Sequence, residues 1–316
     1  MGGVASGVGG SGGFSSTATG GAAGSGGAGG SGGSSSGGGA GAGGATGPVG
    51  GNGGVGGAGG RGGMAGTGGV GGAAGNGGRG GGGSGGIGGS GGGGPCGVNA
   101  IQFDGSATFA TTPRRVQDDF TLEAWIRTSV ASPTGTNFFQ GVGLIYADVA
   151  FNANDFGMSI LNNHIALGIG NPDTTVEGTT SVITGQWVHI ATTRTRSTGL
   201  VSVIVNGVLD RSATAPNTGT LTSPTSITLG ANAGDSIYYT GLIDEIRIWN
   251  VARSAATIAA NMNRRLIGTE AGLVGYWRLD ETTGNTALDA SPSNSSAAFV
   301  GNPQHVPSTA PITICP

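Results

Sequence analysis

The stretch GLIDEIRIWN, residues 241–250, has the two-residue alternation of a β-strand. Its even positions predict an apolar face interrupted by one carboxylate: Leu242, Asp244, Ile246 and Ile248. Its odd positions predict the opposite face: Glu245, Arg247 and Trp249. Burying an unpaired carboxylate costs several kcal/mol. The fold must therefore supply Asp244 with hydrogen-bond donors or with a positive charge.

Other short runs repeat the β pattern. FTLEAWIRT, residues 120–128, places four apolar side chains on one face, and WVHIATT, residues 187–193, alternates in the same way. VSVIVNGVLD contains Asn206-Gly207, the strongest short hairpin signal. The one helical pattern is RSAATIAANMNRRL, residues 253–266, with Ser254 as a candidate N-cap. These runs predict an all-β, mostly antiparallel fold.

The chain divides sharply by composition. Residues 1–95 contain 53 of the 74 glycines and only two charged side chains, Arg61 and Arg79. Such a segment has too few large apolar groups to build a packed core. Residues 96–316 are long enough for one domain with a sizeable core. We therefore predict a glycine-rich, non-globular arm at 1–95 and one folded domain at 96–316.

The arm has a Gly-Gly-X period from Ala22 to Arg79. Collagen requires one Gly per triplet with abundant proline, and this arm has only Pro48 before Pro95. Two alternatives stay open. The arm is a flexible spacer, or it forms packed polyglycine helices, since it resembles the glycine-rich repeat regions of some bacterial surface proteins.

Charge and hydropathy exclude two classes of partner. The formal net charge is -3 and the pI is about 5.5, which argues against nucleic acid, since phosphate binding needs a basic surface. No run of 18 apolar residues exists, so we expect no membrane span. The N-terminus lacks signal-peptide features. Either the protein is cytoplasmic or the true start lies upstream, and we favour export from an upstream start.

Six motifs together resemble the laminin G-like jelly rolls of the concanavalin A-like lectin and glucanase superfamily, over residues 98 to about 305. They occur in the order AIQFDG, FTLEAWIRTS, GQWVHIATTR, VSVIVNGVLD, TGLIDEIRIWNVARS and GLVGYWRLDETTGN. The resemblance implies two stacked antiparallel sheets in a jelly-roll sandwich. It also implies a face that binds glycans or proteins, and often a calcium ion at the convex side or the rim.

The resemblance also assigns a role to Asp244. In related calcium-bearing jelly rolls the aspartate of such a strand is a metal ligand, and its neighbour here would be Asp104 of QFDG. A calcium ion held by Asp244, Asp104 and backbone oxygens would compensate the buried charge. The alternative is a β-bulge at the strand entry that lets Asp244 accept amide hydrogen bonds without a metal.

Cys96 and Cys315 are the only cysteines, and they bracket the predicted domain. In sandwiches whose terminal strands lie side by side such a pair can meet, and closing a loop of about 220 residues would contribute about 5 kcal/mol. A disulfide would indicate an oxidising compartment and hence a secreted or cell-surface protein. Two free thiols are the alternative.

Aromatic and histidine side chains offer further candidates. Sugar stacking or, more commonly, core packing is expected for the four tryptophans: Trp125, Trp187, Trp249 and Trp277. The three histidines have no metal-ligand spacing and are expected to be structural or exposed: His164, His189 and His305.

Catalysis receives no support from the carboxylates. Glucanases of the superfamily use an E-x-D-x-x-E array on one strand, which this sequence lacks, and Asp118-Asp119 and Asp244-Glu245 cannot flank a glycosidic bond. We therefore expect that the protein is not an enzyme. We expect a secreted or surface-displayed lectin-like module that is carried on a glycine-rich spacer and binds glycan or protein. A self-associating structural surface protein is the alternative, and a glucanase is less favoured.

Overall fold

The computed structural model describes residues 98–151 and 153–316. The predicted arm, residues 1–95, and Cys96 lie outside the described residues, so the domain boundary at residue 96 stays a prediction.

Strands dominate the described residues. The first nine are β1 (Asn99–Asp104), β2 (Phe109–Pro113), β3 (Phe120–Arg127), β4 (Val142–Ala147), β5 (Phe156–Leu161), β6 (His164–Ile169), β7 (Thr174–Ser181), β8 (Trp187–Thr195) and β9 (Leu200–Val205). The next nine are β10 (Val208–Thr214), β11 (Ser226–Leu229), β12 (Ala231–Asn232), β13 (Ile237–Tyr238), β14 (Thr240–Trp249), β15 (Leu273–Trp277), β16 (Thr286–Ala287), β17 (Ala297–Val300) and β18 (Gln304–Pro307). A 3-10 turn spans Phe138–Gln140, and the helix α1 spans Ala255–Asn261.

Two large sheets form the domain. Sheet 1 has the order β10-β9-β8-β3-β14-β1-β18, with β15 paired to the C-terminal part of β14. Sheet 2 has the order β16-β17-β2-β11-β4-β5-β6-β7, and β12 and β13 form a small separate pair. Neighbouring strands run antiparallel throughout these sheets. The predicted all-β jelly-roll sandwich is confirmed.

The main core lies between the two sheets. Strand β3 contributes the four alternating side chains that its sequence predicts: Phe120, Leu122, Ala124 and Ile126. Sheet 2 faces them with Met158, Ile160 and Leu167, among others. Full burial of one such aliphatic side chain contributes about 1.5–3 kcal/mol. This core therefore holds the two sheets face to face.

The predicted connections are also present. Asn206 and Gly207 have φ angles of 50° and 75°, as a type I′ hairpin turn between β9 and β10 requires. Ser254 caps α1, its Oγ accepting a hydrogen bond from the Thr257 amide at 3.2 Å. The helix has only seven residues. Nowhere in the described residues is a helix both long and apolar enough to cross a membrane.

A β-bulge interrupts the centre of β14. Asp244 pairs with Trp125 and Arg247 with Glu123, so two residues of β14 oppose the single residue between their partners on β3. Glu245, inside the bulge, has a φ of 52°. The extra residue reverses the faces of the strand before it.

The bulge corrects the predicted faces of this strand. The core side chains of β14 are Ile243, Ile246 and Ile248. Leu242 is half-buried, and its cross-strand partner Arg127 is exposed on the face of sheet 1 that is turned away from the core. Asp244 therefore lies on the outer face of sheet 1, the face turned away from sheet 2, and not on the apolar side as its even position predicted.

The outer face of sheet 1 is covered by the C-terminal part of the chain. Ile258 of α1 packs with Ile204 of β9, and Ile312 of the C-terminal segment packs with Trp125 of β3. All four side chains are at most 4% exposed. This covering encloses the polar side chains that β3, β8 and β14 direct outward.

These side chains and Arg253, from the loop after β14, form what we call the charged layer: Glu123, His189, Glu245, Arg247 and Arg253. Glu123 accepts hydrogen bonds from the Trp249 indole and from the Arg253 guanidinium, the latter at 3.0 Å. His189 Nε2 lies 3.3 Å from the other carboxylate oxygen of Glu123. Glu123 is fully buried, and its carboxylate is surrounded by the Trp249 indole, the Arg253 guanidinium and the His189 imidazole.

The second half of the layer surrounds Glu245. Its Oε2 accepts from Arg247 at 2.8 Å and from the Tyr276 hydroxyl at 2.7 Å. The Arg247 guanidinium also donates to the backbone carbonyls of Asn261 and Arg264, at 3.1 and 2.5 Å. These last two bonds tie the covering segment to the centre of sheet 1.

The ionisation of the layer follows from its contacts. Burial by itself raises the pKa of Glu123, but the hydrogen bond from His189 and the charges of Arg247 and Arg253 bring that pKa down to about 2. Burial lowers the pKa of His189. The layer therefore places an ionised Glu123 carboxylate beside a neutral His189 imidazole.

We predict that Glu123→Ala destabilises the domain by about 3–5 kcal/mol, because it leaves buried positive charge uncompensated. Since the folded-state pKa is depressed from 4.5 to about 2, the contribution is complete above pH 4.5 and disappears as the pH falls through about 2. Urea unfolding of wild type and variant at pH 7 and at pH 3 measures both effects.

Glu177→Ala is the matched control. Glu177 also pairs with a histidine, at 2.8 Å, but both side chains are 28% exposed, so its loss should cost no more than about 1 kcal/mol. Equal destabilisation by the two substitutions would contradict the charged layer as a stabilising element.

Candidate functional site

The Asp244 carboxylate accepts two hydrogen bonds from protein groups. Its Oδ1 accepts from the Glu245 amide at 2.8 Å, and its Oδ2 accepts from the Ser308 hydroxyl at 2.5 Å. Burial, only partly offset by the Ser308 hydrogen bond, raises its pKa to about 8. The bulge with amide donation, one of the two sequence-based alternatives, is present, although it lies within the strand and not at its entry.

Asp104 has a different task at the end of β1. Its Oδ1 accepts from the Ser106 amide at 3.0 Å and from the Thr108 amide at 3.3 Å, and its Oδ2 accepts from the Ser106 hydroxyl at 2.8 Å. These bonds, led by the one from the Ser106 amide, lower the pKa of Asp104 well below its usual range. Asp104 is therefore a turn-capping residue.

The structure does not bring Asp104 and Asp244 together. Asp104 pairs with Thr240, four residues before Asp244 on β14, which corresponds to a separation of about 13 Å at ~3.3 Å per residue. The register of β1 and β14 therefore does not bring these two carboxylates to one place, and calcium stays a prediction. Across residues 98–151 and 153–316, no three His, Cys, Asp or Glu side chains are grouped as ligands of one metal ion.

The Cys96–Cys315 disulfide stays a prediction, because Cys96 lies outside the described residues. The segment that carries Cys315 is held in place by the backbone. The amides of Thr313 and Ile314 donate to the Asn263 carbonyl, and the Arg265 amide donates to the Ile314 carbonyl at 2.9 Å.

The tryptophans do not form a sugar-stacking surface. Trp125, Trp249 and Trp277 are at most 4% exposed. Trp187 is half-buried, and its indole donates to the Thr309 hydroxyl at 2.9 Å. Core packing, the commoner of the two expectations, describes three of the four. The histidines lie apart from one another, His164 beside Glu177, His189 inside the charged layer and His305 beside the Gly284 carbonyl.

The best candidate for a ligand site is an open cavity of about 460 Å³ on sheet 2. We call it the acid–aromatic pocket, and the lining residues that matter for binding are Phe139, Asp148, Phe151, Asp173, Asn232 and Asp235. They come from the 3-10 turn before β4, the β4–β5 and β6–β7 loops, strand β12 and the turn between β12 and β13. The pocket thus gathers segments that are far apart in sequence.

Phe151 is the unusual member of this set. Its side chain is 94% exposed, and its backbone has a φ of 74°, in the left-handed region that bulky side chains rarely adopt. In the free protein this exposed ring contributes no burial energy to folding. A strained backbone that presents an exposed ring beside polar groups indicates a binding function.

Phe139 and Asn232 form the opposite wall. Asn232 is 2% exposed, and its side-chain amide donates to the Phe139 carbonyl at 2.8 Å and to Asp235 Oδ2 at 2.9 Å. These two bonds fix the turn that carries Asp235. Half-buried Phe139 is fixed with it, so this wall is formed before any ligand arrives.

Carboxylates dominate the electrostatics of the pocket. Burial, together with the charges of neighbouring aspartates, raises the pKa values of Asp148 and Asp155. Asp155 lies directly behind the lining, where its Oδ2 accepts from the Val149 amide at 3.1 Å and its Oδ1 is buried without a hydrogen-bond donor. Asp173 and Asp235 add two exposed carboxylates. The pocket therefore favours cations and hydroxyl donors over anions.

Comparison with known proteins finds a matching family model. Residues 103–259 match the family model described as the concanavalin A-like lectin/glucanases superfamily. No curated protein matches the chain in sequence.

Solved structures share the fold. A candidate carbohydrate-binding protein from Bacteroides ovatus is 20% identical, with a TM-score of 0.52, over 68% of this chain and 61% of that chain. The heptameric SAP-like pentraxin of Limulus polyphemus is 13% identical, with a TM-score of 0.42, over 68% and 97% of the two chains. Domains LG4-5 of the mouse laminin α1 chain are 15% identical, with a TM-score of 0.38, over 48% and 41%. The chain thus spans less than two thirds of the Bacteroides protein.

We predict that Cys96 and Cys315 are linked in protein isolated under oxidising conditions. Peptide mapping by mass spectrometry without reductant should find the two cysteine peptides joined. Cys315→Ser should lower the free energy of unfolding by about 5 kcal/mol, because a loop of about 220 residues is no longer closed. Two alkylatable thiols in secreted protein would contradict the pairing and the exported location that depends on it.

Proposed function

Because residues 103–259 form a jelly roll of the concanavalin A-like lectin/glucanases superfamily, we propose that this protein is a glycan-binding module that uses the acid–aromatic pocket. The observation that carries the proposal is the exposed Phe151 ring beside the Asp235 and Asn232 side chains. The carbohydrate-binding description of the Bacteroides ovatus structure supports it.

The chemistry of the pocket suits a sugar. A pyranose or furanose ring has an apolar face of C–H groups, which stacks on an aromatic ring, and a rim of hydroxyl groups, which donates to carboxylates. Phe151 and Phe139 supply the first kind of contact, and Asp148, Asp173 and Asp235 supply the second. The lining of this pocket includes no Arg, Lys or His, so neutral glycans are favoured over sulfated or carboxylated ones.

A binding role suits the carboxylates better than hydrolysis. Burial and the charge of Asp148 raise the pKa of Asp155, so the two carboxylates are neighbours. Retaining and inverting glycosidases separate their two carboxyl groups by roughly 5–9.5 Å, so that a nucleophile or a water fits between them. The close pair is suited to sharing a proton or a cation.

Calcium is proposed at this pair. The buried Asp155 Oδ1, which has no donor, and the neighbouring Asp148 carboxylate are oxygen ligands of the type that Ca²⁺ prefers. A bound divalent ion would remove their mutual repulsion and would offer coordination positions to sugar hydroxyls. Backbone, amide or water oxygens must complete the shell, since two carboxylates do not suffice.

The proposed cellular setting rests on the predicted Cys96–Cys315 disulfide and on the glycine-rich arm. The glycine-rich arm would act as a spacer that displays the domain on a secreted or cell-surface protein, and the ligand would be an extracellular glycan. Recognition of a glycan chain carried by an extracellular protein is included in this proposal.

Phe151→Ala should weaken binding to every glycan that the wild type retains on an array. Loss of one stacked aromatic ring should lower affinity by about tenfold or more, equivalent to ~1.4 kcal/mol, measured by titration calorimetry. Val208→Ala, at a 68%-exposed apolar side chain of the β9–β10 hairpin, is the matched control and should leave affinity unchanged. An unchanged affinity in Phe151→Ala would contradict the pocket as the site.

The same protein tests the rival functions. Sedimentation that shows self-association, combined with an array that shows no binding, would favour the structural surface protein. Release of reducing ends from β-glucan would favour the glucanase.

Calcium should stabilise the wild type against heat. At a concentration one hundred times the dissociation constant the stabilisation is about 2.7 kcal/mol, and a chelator should remove it. Asp148→Asn should lose most of this effect, because the amide carries no charge but can still accept from the Tyr146 hydroxyl that Asp148 accepts from at 3.1 Å. Glu177→Gln is the control. Melting temperatures that are equal with calcium and with chelator would contradict the proposed ion.

A further inference from the structure

A second polar cavity lies at one end of the sandwich. Two adjoining spaces of about 470 and 600 Å³ share Asp118, Asp119 and Asn250. We call the combined cavity the end groove, and its defining residues are Arg115, Asp118, Asp119, Arg196, Thr218 and Asn250.

Strand connectivity places the end groove and the acid–aromatic pocket at the same end of the domain. The groove lies where β3 begins, β8 ends and β14 ends, and these three strands are neighbours in sheet 1. The β2–β3 loop joins this end to sheet 2, where antiparallel pairing brings the β4–β5 and β6–β7 loops to the same side. Those two loops contribute Asp148, Phe151 and Asp173 to the pocket.

One loop, residues 215–224, connects the two cavities. Thr218 of this loop lines the groove. The neighbouring Asn217 donates from its side chain to the Gly170 carbonyl at 2.6 Å and to Asn154 Oδ1 at 3.3 Å. Gly170 and Asn154 belong to the two loops that carry pocket residues. The 215–224 loop is thus hydrogen-bonded to both loops that carry pocket residues.

A buried arginine makes the groove rigid. Arg194 is 0% exposed, and its guanidinium donates to the Asp118 carbonyl at 2.8 Å, to Asn217 at 3.0 Å and to Gly219 at 2.7 Å. The first bond holds the β2–β3 loop and the other two hold the 215–224 loop. A groove whose two walls share one anchor is formed before it binds a ligand, which lowers the entropic cost of binding.

The groove is polar but nearly balanced in charge. Arg196 Nη1 lies 3.3 Å from Asp118 Oδ1, and the Arg196 amide donates to Asp119 Oδ1 at 2.7 Å. Arg115 donates to the Ser295 hydroxyl, and the Arg114 guanidinium is taken up by backbone carbonyls. Carboxylate, guanidinium and amide groups side by side match a ligand with many hydroxyls and no charge.

We propose that the end groove is a second saccharide subsite, so that the ligand of this domain is a neutral oligosaccharide several sugars long. The inference rests on the proposed glycan binding at the acid–aromatic pocket and specifies the size and charge class of the ligand. One end of the chain stacks in the pocket, and its other end donates and accepts hydrogen bonds in the groove.

Chain-length dependence tests this proposal. The probes are neutral arabino-, cello-, xylo- and manno-oligosaccharides, each from the disaccharide to the hexasaccharide, titrated by calorimetry into the full chain. For the series that binds, wild-type affinity should rise about tenfold or more from the disaccharide to the hexasaccharide, equivalent to ~1.4 kcal/mol.

Ser197→Trp fills the groove from an exposed position in its lining. This variant should keep the wild-type affinity for the disaccharide and lose the gain with length. Ser212→Trp, at an exposed serine of β10 outside the groove, is the matched control and should behave as wild type. Asn250→Ala, a small change in the groove, should reduce the gain without abolishing it.

The outcomes separate the two proposals. A wild-type affinity that does not depend on length, or an identical length dependence in Ser197→Trp, overturns the second subsite and leaves the pocket intact. If Phe151→Ala binds normally while Ser197→Trp loses binding at every length, the groove is the site and the pocket is overturned. If no oligosaccharide binds the wild type, both proposals are overturned.

Discussion

The bulge at Glu245 and Ile246 is the feature on which the rest of the domain depends. It lets one central strand place three isoleucines in the apolar core and, on its other face, Glu245 and Arg247 in the charged layer. Without the extra residue the two faces would be mixed. A carboxylate would then enter the apolar core, where nothing offsets the loss of its hydration.

The charged layer explains why the C-terminal part of the chain lies where it does. A buried guanidinium group is costly unless it is paired, and Arg247 donates to the backbone carbonyls of Asn261 and Arg264. Once covered in this way, the part of the outer face of sheet 1 that carries the charged layer is closed to ligands. The acid–aromatic pocket and the end groove lie on sheet 2 and at one end of the sandwich, where loops supply most of the side chains.

The sequence predicted what depends on local pattern. The alternation of β3, the turn at Asn206-Gly207 and the cap at Ser254 are all present, because each is set by neighbouring residues. The bulge was not predicted as the preferred alternative, since one inserted residue leaves the composition of the strand unchanged while reversing its faces. Phe151 gave no signal, because an exposed loop aromatic has no periodicity. Asp104 was assigned to a metal from the family resemblance alone, because the sequence does not reveal its register with β14.

The most direct measurement is a crystal structure of the full chain with calcium and a neutral hexasaccharide. The account predicts a sugar ring stacked on Phe151, with its hydroxyls near Asp235, and further rings extending toward Asn250. A ligand bound on the outer face of sheet 1, against a displaced C-terminal segment, would contradict it, since the charged layer would then be a binding surface and not a closed part of the fold.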